Sequence, residues 1–228
     1  MPIRIVHATE PLGLVGGAPV ADDAVAALKT RVSRVVAADG GAEALLRSGW
    51  MPEAVIGDMD SLPSAAREVL ADHLLHEVEE QDSTDFEKCL MRVTAPLILA
   101  LGFRGGRLDH ELAALHGLMR FADQRCMLIG PDDVVFLCPP SLKLDLPAGT
   151  PLSLFPLAPV TGRATGLQWS FEQLDFAPGF RVGTSNRIEG VVDLRMSAPA
   201  MLCILPNTCL DEAVTQLAAQ PGSWPARA

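Results

Sequence analysis

The chain has 228 residues, of which 49% are hydrophobic and 20% are charged, so it can build a sizeable core and is not globally disordered. Its formal net charge of −10 repels a nucleic-acid backbone, and no basic stripe interleaved with aromatic residues offsets that charge. Composition therefore disfavours nucleic-acid binding, whereas an acidic chain is suited to handling cations.

Five cysteines lie scattered in apolar stretches, without C-x-x-C spacing or a neighbouring histidine cluster. Such a set is typical of reduced packing residues in a cytosolic protein. The first residues, MPIRIVHATE, lack the basic leader and apolar region of a secretory signal, and no uninterrupted apolar run reaches the roughly 18–20 residues that cross a bilayer. We expect a soluble, cytoplasmic protein.

In the first half of the chain, short apolar runs alternate with helix-like segments. The runs are continuous, which is typical of strands buried on both faces: IRIVHA, LGLVGG, RVVAADGG, EAVIGD, PLILALG and CMLIG. Helices are predicted over 21–31, 41–48, 63–74, 84–94 and 108–123. This alternation predicts an α/β domain with a mostly parallel, Rossmann-like sheet, which binds ligands at the carboxyl ends of its strands.

From about residue 134 the pattern changes to short strand-like pieces separated by proline and glycine. No helix is predicted before residue 210. Spacing of this kind predicts an antiparallel sandwich or barrel-like second domain.

The stretch GDMDS, Gly57–Ser61, places Asp58 and Asp60 directly after the apolar run EAVIG. Taken alone, a D-x-D is compatible with a polar turn. It is also compatible with a magnesium site, because hard divalent cations prefer carboxylate oxygens and often accompany phosphates. Its place at a predicted strand end puts it at the ligand-binding edge of the sheet.

A second acidic group occurs in QDSTDFEKCL. Helix starts favour acidic residues for capping, but capping does not explain why Asp82 and Asp85 lie three residues apart, where both can point the same way. Gln81 adds an amide able to bond a phosphate or a ribose. Lys88, one turn beyond Asp85, is a candidate ligand-binding residue or a surface i,i+3 partner.

A third group occurs in LGFRGGRLDH, between a predicted strand and a predicted helix. Gly105 and Gly106 let the backbone approach a ligand, and the helix start presents unpaired N–H groups to an anion. Arg104 and Arg107 add guanidinium groups suited to phosphate oxygens. A Walker-type P-loop is absent, but beside two acidic groups this loop indicates a nucleotide polyphosphate bound with Mg2+.

Two pairs, each made of adjacent residues, allow two interpretations each. Asp109 can simply favour the helix start, and His110 is either a chemical base or a structural histidine. Asp39 and Gly40, in ADGGAEALL at another strand end, form either an ordinary turn or a close approach to the nucleotide.

The ordered set ADGGA, GDMDS, QDSTDFEK and GFRGGRLDH, followed by GLQWSF and GTSN, resembles the thiamine pyrophosphokinase (thiamine diphosphokinase) family over roughly residues 12–205. The resemblance implies an α/β ATP-binding domain over 1–133 and a β-sandwich thiamine-binding domain over 134–228. It also implies a homodimer with the thiamine site at its interface. The implied reaction transfers a diphosphate group from ATP to the hydroxyethyl oxygen of thiamine and releases AMP.

The resemblance also implies residue roles. The expected Mg2+ ligands are Asp58, Asp60 and Asp85, with Asp82 close by. The residues expected to line the ATP and thiamine pocket are Gln81, Arg104, Arg107 and Asp109, and the same motifs add Asp39, Gly40, Lys88, Gly106 and His110. Those expected to reach thiamine across the dimer interface are Trp169, Ser185 and Asn186. Either Asp85 or Asp109 could accept the alcohol proton.

Trp169 has two interpretations of its own. Its aromatic face suits the fixed positive charge of the thiazolium ring, but its strand-like segment is also compatible with packing in the core.

Other functions are compatible with part of the pattern. They are a phosphatase of the aspartyl-phosphate type or another Mg2+-dependent phosphotransferase with a D-x-D, such as a nucleotide-sugar transferase, and a non-catalytic nucleotide- or thiamine-binding module. A phosphatase usually has its D-x-D near the first strand, and neither enzyme class explains the Gly-Gly-Arg loop with an all-β second half. Binding alone seldom needs so many carboxylates.

Overall fold

The computed structural model describes residues 3–220 and 222–226, which form two compact units. The first unit comprises the residues up to Gly117 together with Leu128–Gly130, and the second comprises Leu118–Met127 together with the residues from Pro131 onward. Within the described ranges, no helix combines the length and the apolar character that crossing a membrane requires. All five cysteines are buried free thiols, as the sequence predicts.

Strands and helices alternate along the first unit. In chain order they are β1 (Val6–His7), β2 (Leu12–Val15), α1 (Asp22–Lys29), β3 (Arg34–Ala38), α2 (Gly41–Arg47), β4 (Ala54–Gly57), α3 (Ser64–Val69), β5 (Leu75–Glu77), α4 (Asp85–Arg92), β6 (Val93–Thr94), β7 (Ile98–Leu101) and α5 (Leu108–Arg120), whose last turn belongs to the second unit.

Five of these strands form a parallel sheet in the order β7-β2-β3-β4-β5. Every residue of β2, β4 and β7 is buried, which explains their uninterrupted apolar sequences. Because the strands are parallel, the loops that follow β2, β3, β4 and β7 emerge at one edge of the sheet. The predicted parallel α/β arrangement of this part of the chain is confirmed.

Three elements of the first unit differ from the sequence prediction. The run IRIVHA yields only β1, which pairs with β6 in a separate two-stranded ladder. The segment 63–74 is not one helix: α3 ends because Leu70 is extended, with φ −80° and ψ 131°, and a short 3-10 turn, Asp72–Leu74, follows. The sequence does not predict β5, since its three residues, LHE, are too few to show a period.

The strand β8 (Cys126–Ile129) lies where the chain passes between the units. The second unit continues with β9 (Asp133–Leu137), β10 (Ser141–Leu144), β11 (Pro151–Pro156), β12 (Val160–Leu167), β13 (Phe171–Phe176), β14 (Gly183–Met196), β15 (Met201–Pro206) and α6 (Leu210–Ala218).

The strand pairs within the second unit are antiparallel, in the order β13-β12-β14-β11-β15-β9, with β10 also on β14. The 14-residue β14 joins two pieces that the sequence predicts as separate strands. Its first residues pair with β11, and its last residues pair with β10 and β12. The prediction that no α-helix lies between about residue 134 and residue 210 is confirmed.

Candidate active site

A cleft of about 690 Å3 opens at the carboxyl edge of the parallel sheet in the first unit. Its lining comes from the loops after β2, β3, β4 and β7 and from the beginnings of α4 and α5. Parallel α/β sheets bind their ligands at this edge. One part of the lining carries carboxylates and another part is apolar, so the cleft can hold a ligand whose two ends differ in charge.

Three aspartates, here named the acidic cluster, meet in the cleft: Asp39 after β3, and Asp58 and Asp60 after β4. One carboxylate oxygen from each lies within 4.8 Å of the others. Asp39 is buried, Asp58 is half-buried and Asp60 is exposed. Such a set of oxygens can hold a hard divalent cation.

Asp39 is the enclosed member of the acidic cluster, with only 2% of its surface exposed. Its Oδ2 accepts a hydrogen bond from the Ser61 N–H at 3.0 Å, whereas its buried Oδ1 has no hydrogen-bond partner among the described residues. Burial raises the pKa of Asp39 to about 6, against the effect of the Ser61 N–H and with the help of the nearby carboxylates. A cation would satisfy this orphaned oxygen, so the residues present fit a Mg2+ ion.

Lys88 is a buried charge, with 1% of its surface exposed. Its Nζ donates to Asp58 Oδ2 at 2.9 Å and to Asp85 Oδ1 at 3.1 Å. The predicted i,i+3 contact between Lys88 and Asp85 is confirmed, but its predicted place on the surface is wrong, because the side chain is directed inward and joins two acidic segments.

The bridge through Lys88 changes the titration of all three groups. The hydrogen bond from Lys88 lowers the pKa of Asp58, whereas burial raises the pKa of Asp85 and outweighs its bond with Lys88. Burial works to lower the pKa of Lys88, but the two hydrogen bonds outweigh burial, so that the pKa is raised. The lysine therefore stays charged and bridges the two carboxylates.

Asp85 is placed by the start of α4. Thr84 Oγ1 accepts a hydrogen bond from the Glu87 N–H, and Glu87 Oε2 accepts one from the Thr84 N–H, both at 3.3 Å. This capping box fixes the first helical turn and the direction of Asp85. Asp39, and not Asp85, lies together with Asp58 and Asp60 in the acidic cluster. Asp85 accepts a hydrogen bond from Lys88.

The backbone under the acidic cluster is tightly packed. A Cβ added at Gly57 would lie 2.7 Å from the Asp39 Cβ and 3.2 Å from Asp85 Oδ1. Met59, between the two aspartates of the D-x-D, has a left-handed φ of 64°, which residues with a side chain rarely adopt. Because Met59 is only 7% exposed, its buried side chain anchors this strained turn. Gly57 thus sets how closely the strand ends approach, and Met59 fixes the turn between the carboxylates.

The loop before α5 delivers part of its predicted residues to the cleft. Gly106, Arg107 and His110 line it, as does Gly40 from the loop after β3. Asp109 is not in the lining and pairs with Arg107 on the exposed surface, at 2.6 Å between Asp109 Oδ2 and Arg107 Nη2. The hydrogen bond from Arg107 lowers the pKa of Asp109.

Arg104 also lies outside the lining, in a structural contact. Its Nε donates to Glu111 Oε1 at 3.0 Å, and Glu111 Oε2 accepts from the Gly105 N–H at 3.2 Å. Glu111 therefore ties the glycine loop to the first turn of α5. Glu111 is not among the predicted site residues, although an acidic residue in the first turn of a helix that follows an arginine-containing loop is a signal for such a contact.

Gln81 and Asp82 are exposed and outside the lining. Glu80 holds this loop, because its Oε2 accepts from the Asp82 N–H at 2.9 Å and from the Ser83 N–H at 3.2 Å. These contacts hold the backbone of Asp82 in the loop before α4. Its role near the metal, like that of Gln81 near ATP, stays a prediction.

The three predicted thiamine-site residues belong to the second unit. Trp169 lies in the turn after β12 and is 57% exposed, so its assignment to a strand or to the core is wrong. Asn186 clamps this turn, since its Oδ1 accepts from the Trp169 N–H at 3.1 Å and its Nδ2 donates to the Trp169 carbonyl at 3.0 Å. Ser185, with φ 62°, donates its N–H to Ser153 Oγ at 2.9 Å.

The chain is similar to thiamine pyrophosphokinases. The family model described as "Thiamin pyrophosphokinase, catalytic domain" matches residues 25–129, a range that includes the acidic cluster and Lys88. "Thiamine pyrophosphokinase 1" of Oryza sativa subsp. japonica is 29% identical over 221 residues, covering 75% of this chain and 84% of that protein. "Thiamine pyrophosphokinase 1" of Arabidopsis thaliana is 29% identical over 163 residues, covering 63% of this chain and 61% of that protein.

The fold is also shared with a solved structure. "Thiamin pyrophosphokinase from Candida albicans" superposes with a TM-score of 0.74 at 17% identity, and the match covers 90% of this chain and 94% of that chain. This likeness establishes the mixed α/β fold.

Replacing Gly57 by alanine is expected to lower the free energy of unfolding by about 1–3 kcal/mol, because the added methyl group overpacks against Asp39. The same change is expected to weaken Mg2+ binding, measured by calorimetry. Gly190→Ala is the matched control, since a Cβ at Gly190 meets none of the described residues within 4 Å. Equal losses in the two variants would contradict the packing role of Gly57.

Asp39 is expected to destabilise the metal-free protein above about pH 6, because its folded pKa of about 6 exceeds the usual 3.8. This destabilisation of the folded state decreases as the pH falls from 6 toward 4, where the carboxyl group becomes protonated in the unfolded chain as well. The difference between these two pKa values corresponds to about 3 kcal/mol. Asp39→Asn in EDTA should therefore raise the free energy of unfolding by up to about 3 kcal/mol at pH 8, and by much less at pH 4.

Urea unfolding at the two pH values measures this effect. Asp72→Asn is the control, since Asp72 is exposed and outside the cleft. A stabilisation by Asp39→Asn that does not change with pH would rule out the buried carboxylate as its source.

Proposed function

Because residues 25–129 match the thiamin pyrophosphokinase catalytic domain and a curated thiamine pyrophosphokinase is 29% identical, we propose that the chain belongs to this family. In this proposal it transfers the terminal diphosphate of Mg2+-bound ATP to the hydroxyl oxygen of thiamine. The products are thiamine diphosphate and AMP. The observation that carries this proposal is the meeting of Asp39, Asp58 and Asp60 in one cleft, within the residues that match the family's catalytic domain.

The reaction exchanges one phosphorus–oxygen bond for another. The hydroxyl oxygen of thiamine bonds to the β-phosphorus of ATP, and the bond from that phosphorus to the oxygen shared with the α-phosphate breaks. AMP leaves with the shared oxygen, and the hydroxyl proton is released. A bound Mg2+ ion supplies charge neutralisation for the phosphate oxygens.

The protein's part is to hold and orient charge. Asp39, Asp58 and Asp60 would hold Mg2+, which the orphaned Asp39 Oδ1 and the 4.8 Å grouping support. Lys88 fixes Asp58 and Asp85 relative to each other, and Arg107 lines the cleft with a guanidinium group suited to phosphate oxygens.

Asp85 has two proposed roles, as a further metal ligand and as the acceptor of the alcohol proton. It is a better candidate for the second role than Asp109, because Asp85 lines the cleft and Asp109 does not. Burial also raises the pKa of Asp85, which brings the group closer to the range of a general base.

For thiamine, we propose a site completed by a partner subunit in a homodimer, to which Trp169, Ser185 and Asn186 contribute. The exposed ring of Trp169, held in a turn by Asn186, supports this role. A tryptophan face attracts a fixed cation such as the thiazolium ring of thiamine.

We further propose a functional division into a Rossmann-like ATP-binding domain over 1–133 and a β-sandwich over 134–228. The parallel pairs of the first unit and the antiparallel pairs of the second support it, as does β14, whose two ends pair with different strands. The five buried free thiols support a cytoplasmic location.

The product assay tests the function directly. Purified protein with ATP, Mg2+ and thiamine is expected to yield AMP and thiamine diphosphate in equal amounts, resolved by chromatography. Asp58→Asn is expected to lower kcat by about 100-fold or more, because it removes a charge that positions metal and phosphate. Circular dichroism checks that the variant is folded, and Asp72→Asn is the control for the change of charge. Formation of ADP, or of phosphate without thiamine, would favour another phosphotransferase or a phosphatase.

Trp169→Ala is expected to raise the KM for thiamine by about 5- to 30-fold, the loss of one desolvated cation–π contact. The KM for ATP should remain within twofold. Phe180→Ala serves as the control, because Phe180 is another exposed aromatic residue of the same unit, at 73% exposure. An equal rise of the KM for thiamine and the KM for ATP would indicate that Trp169 has a structural role and does not bind thiamine.

A further inference from the structure

We propose that Phe103 is the platform on which the base of the nucleotide stacks, so that this residue positions ATP and favours a purine ring. The proposal deepens the proposed function and rests on it. Its basis is an apolar wall in the cleft, formed by Ala18, Pro19, Phe86, Phe103 and Ala114. The acidic cluster and Lys88 line the same cleft, so a ligand that fills the cleft meets both environments.

Phe103 lies just after β7 and is half-buried, with part of its ring open to the cleft. Its ring packs against Phe86, with centroids 4.7 Å apart and planes tilted by 53°. Phe86 is itself 3% exposed and is backed by α5, where a Cβ at Gly117 would lie 2.9 Å from the Phe86 ring. Phe103 therefore rests on a buried aromatic residue.

The loop after β2 supports the other side of Phe103. A Cβ added at Gly16 would lie 2.6 Å from the Phe103 ring and 2.6 Å from the Gly102 carbonyl oxygen. Two hydrogen bonds join these loops beyond the strands, from the Gly16 N–H to the Leu101 carbonyl at 2.8 Å and from the Ala18 N–H to the Gly102 carbonyl at 2.9 Å. Glycine at position 16 thus lets the ring lie against the backbone, which fixes its orientation before any ligand binds.

The order of the strands separates this wall from the carboxylates. Phe103 and Ala18 follow β7 and β2, whereas the acidic cluster follows β3 and β4. The end of β7, which Phe103 follows, lies two to three strand spacings, about 10–14 Å, from the ends of β3 and β4. A nucleoside triphosphate has this polarity, because its neutral base is at one end and its metal-bound phosphates are at the other.

The charge of the two substrates assigns the wall to the nucleotide. Thiamine carries a permanent positive charge, which the carboxylates attract and for which the proposed function already assigns the exposed ring of Trp169. The base of ATP is neutral and flat, and aromatic side chains stack on bases without needing a particular hydrogen bond. Phe103 is the ring of this wall that is both open to the cleft and supported from behind.

The test is a kinetic comparison of Phe103→Ala, Phe103→Trp and wild type, with ATP and thiamine varied in turn. Loss of one base–aromatic stack is expected to raise the KM for ATP by about 5- to 100-fold in Phe103→Ala. The KM for thiamine should remain within twofold, and Phe103→Trp should restore the KM for ATP. The preference for ATP over CTP should also fall in Phe103→Ala, since a purine has more stacking surface than a pyrimidine.

Inorganic triphosphate with Mg2+ separates stacking from a general disturbance of the cleft. This probe has the phosphates but no base, so its inhibition constant should be the same in wild type and Phe103→Ala. Phe121→Ala, which removes a half-buried ring of the second unit, is the matched control and should leave the KM for ATP unchanged.

Three results with Phe103→Ala would contradict the stacking role of Phe103. They are an unchanged KM for ATP, a rise in the KM for thiamine in place of that for ATP, or a loss of triphosphate binding as large as the loss of ATP binding. Failure of the proposed function is a different result, in which the wild type forms no thiamine diphosphate. In that case calorimetry with Mg2+-ATP and Mg2+-triphosphate still tests the platform, since only the binding of ATP should depend on Phe103.

Discussion

Carboxylates gathered at the ends of neighbouring strands repel one another, and this repulsion is the constraint around which the site is built. Asp39, Asp58 and Asp60 lie close together, and Asp85 is joined to the group through Lys88. One buried cation, Lys88, offsets part of the negative charge. Burial raises the pKa of Asp39 to about 6, and the neighbouring carboxylates add to that rise. In the metal-free cluster the carboxylates therefore still repel one another, and a bound divalent ion would reduce this repulsion.

The parallel sheet makes this concentration of charge possible. Its buried strands form a rigid base, and their carboxyl ends bring residues that are distant in sequence into one cleft. The same edge carries the apolar wall, at the loops after β2 and β7. The two properties that a metal–nucleotide complex requires are thus distributed along the order of the strands.

Much of this arrangement follows from the sequence, because a D-x-D or a glycine pair directly after a buried run identifies a strand end. The partners across the cleft are harder to predict. Asp39, rather than Asp85, completes the acidic cluster, since its position depends on how closely β3 and β4 approach at Gly57. Lys88 has the spacing of a surface residue, and its burial becomes apparent only when α4 is packed onto the sheet. Trp169 lies in a strand-like segment of the sequence, but the turn that exposes it depends on Asn186, 17 residues away.

The strained turn at Met59 has a consequence for which sequences this site tolerates. Glycine there would ease the backbone but remove the buried anchor, and a β-branched residue would fill the space while clashing in the left-handed conformation. An unbranched apolar side chain meets both demands, so the residue between Asp58 and Asp60 is restricted by geometry alone. Natural variation at this position should therefore be narrow even though the residue itself performs no chemistry.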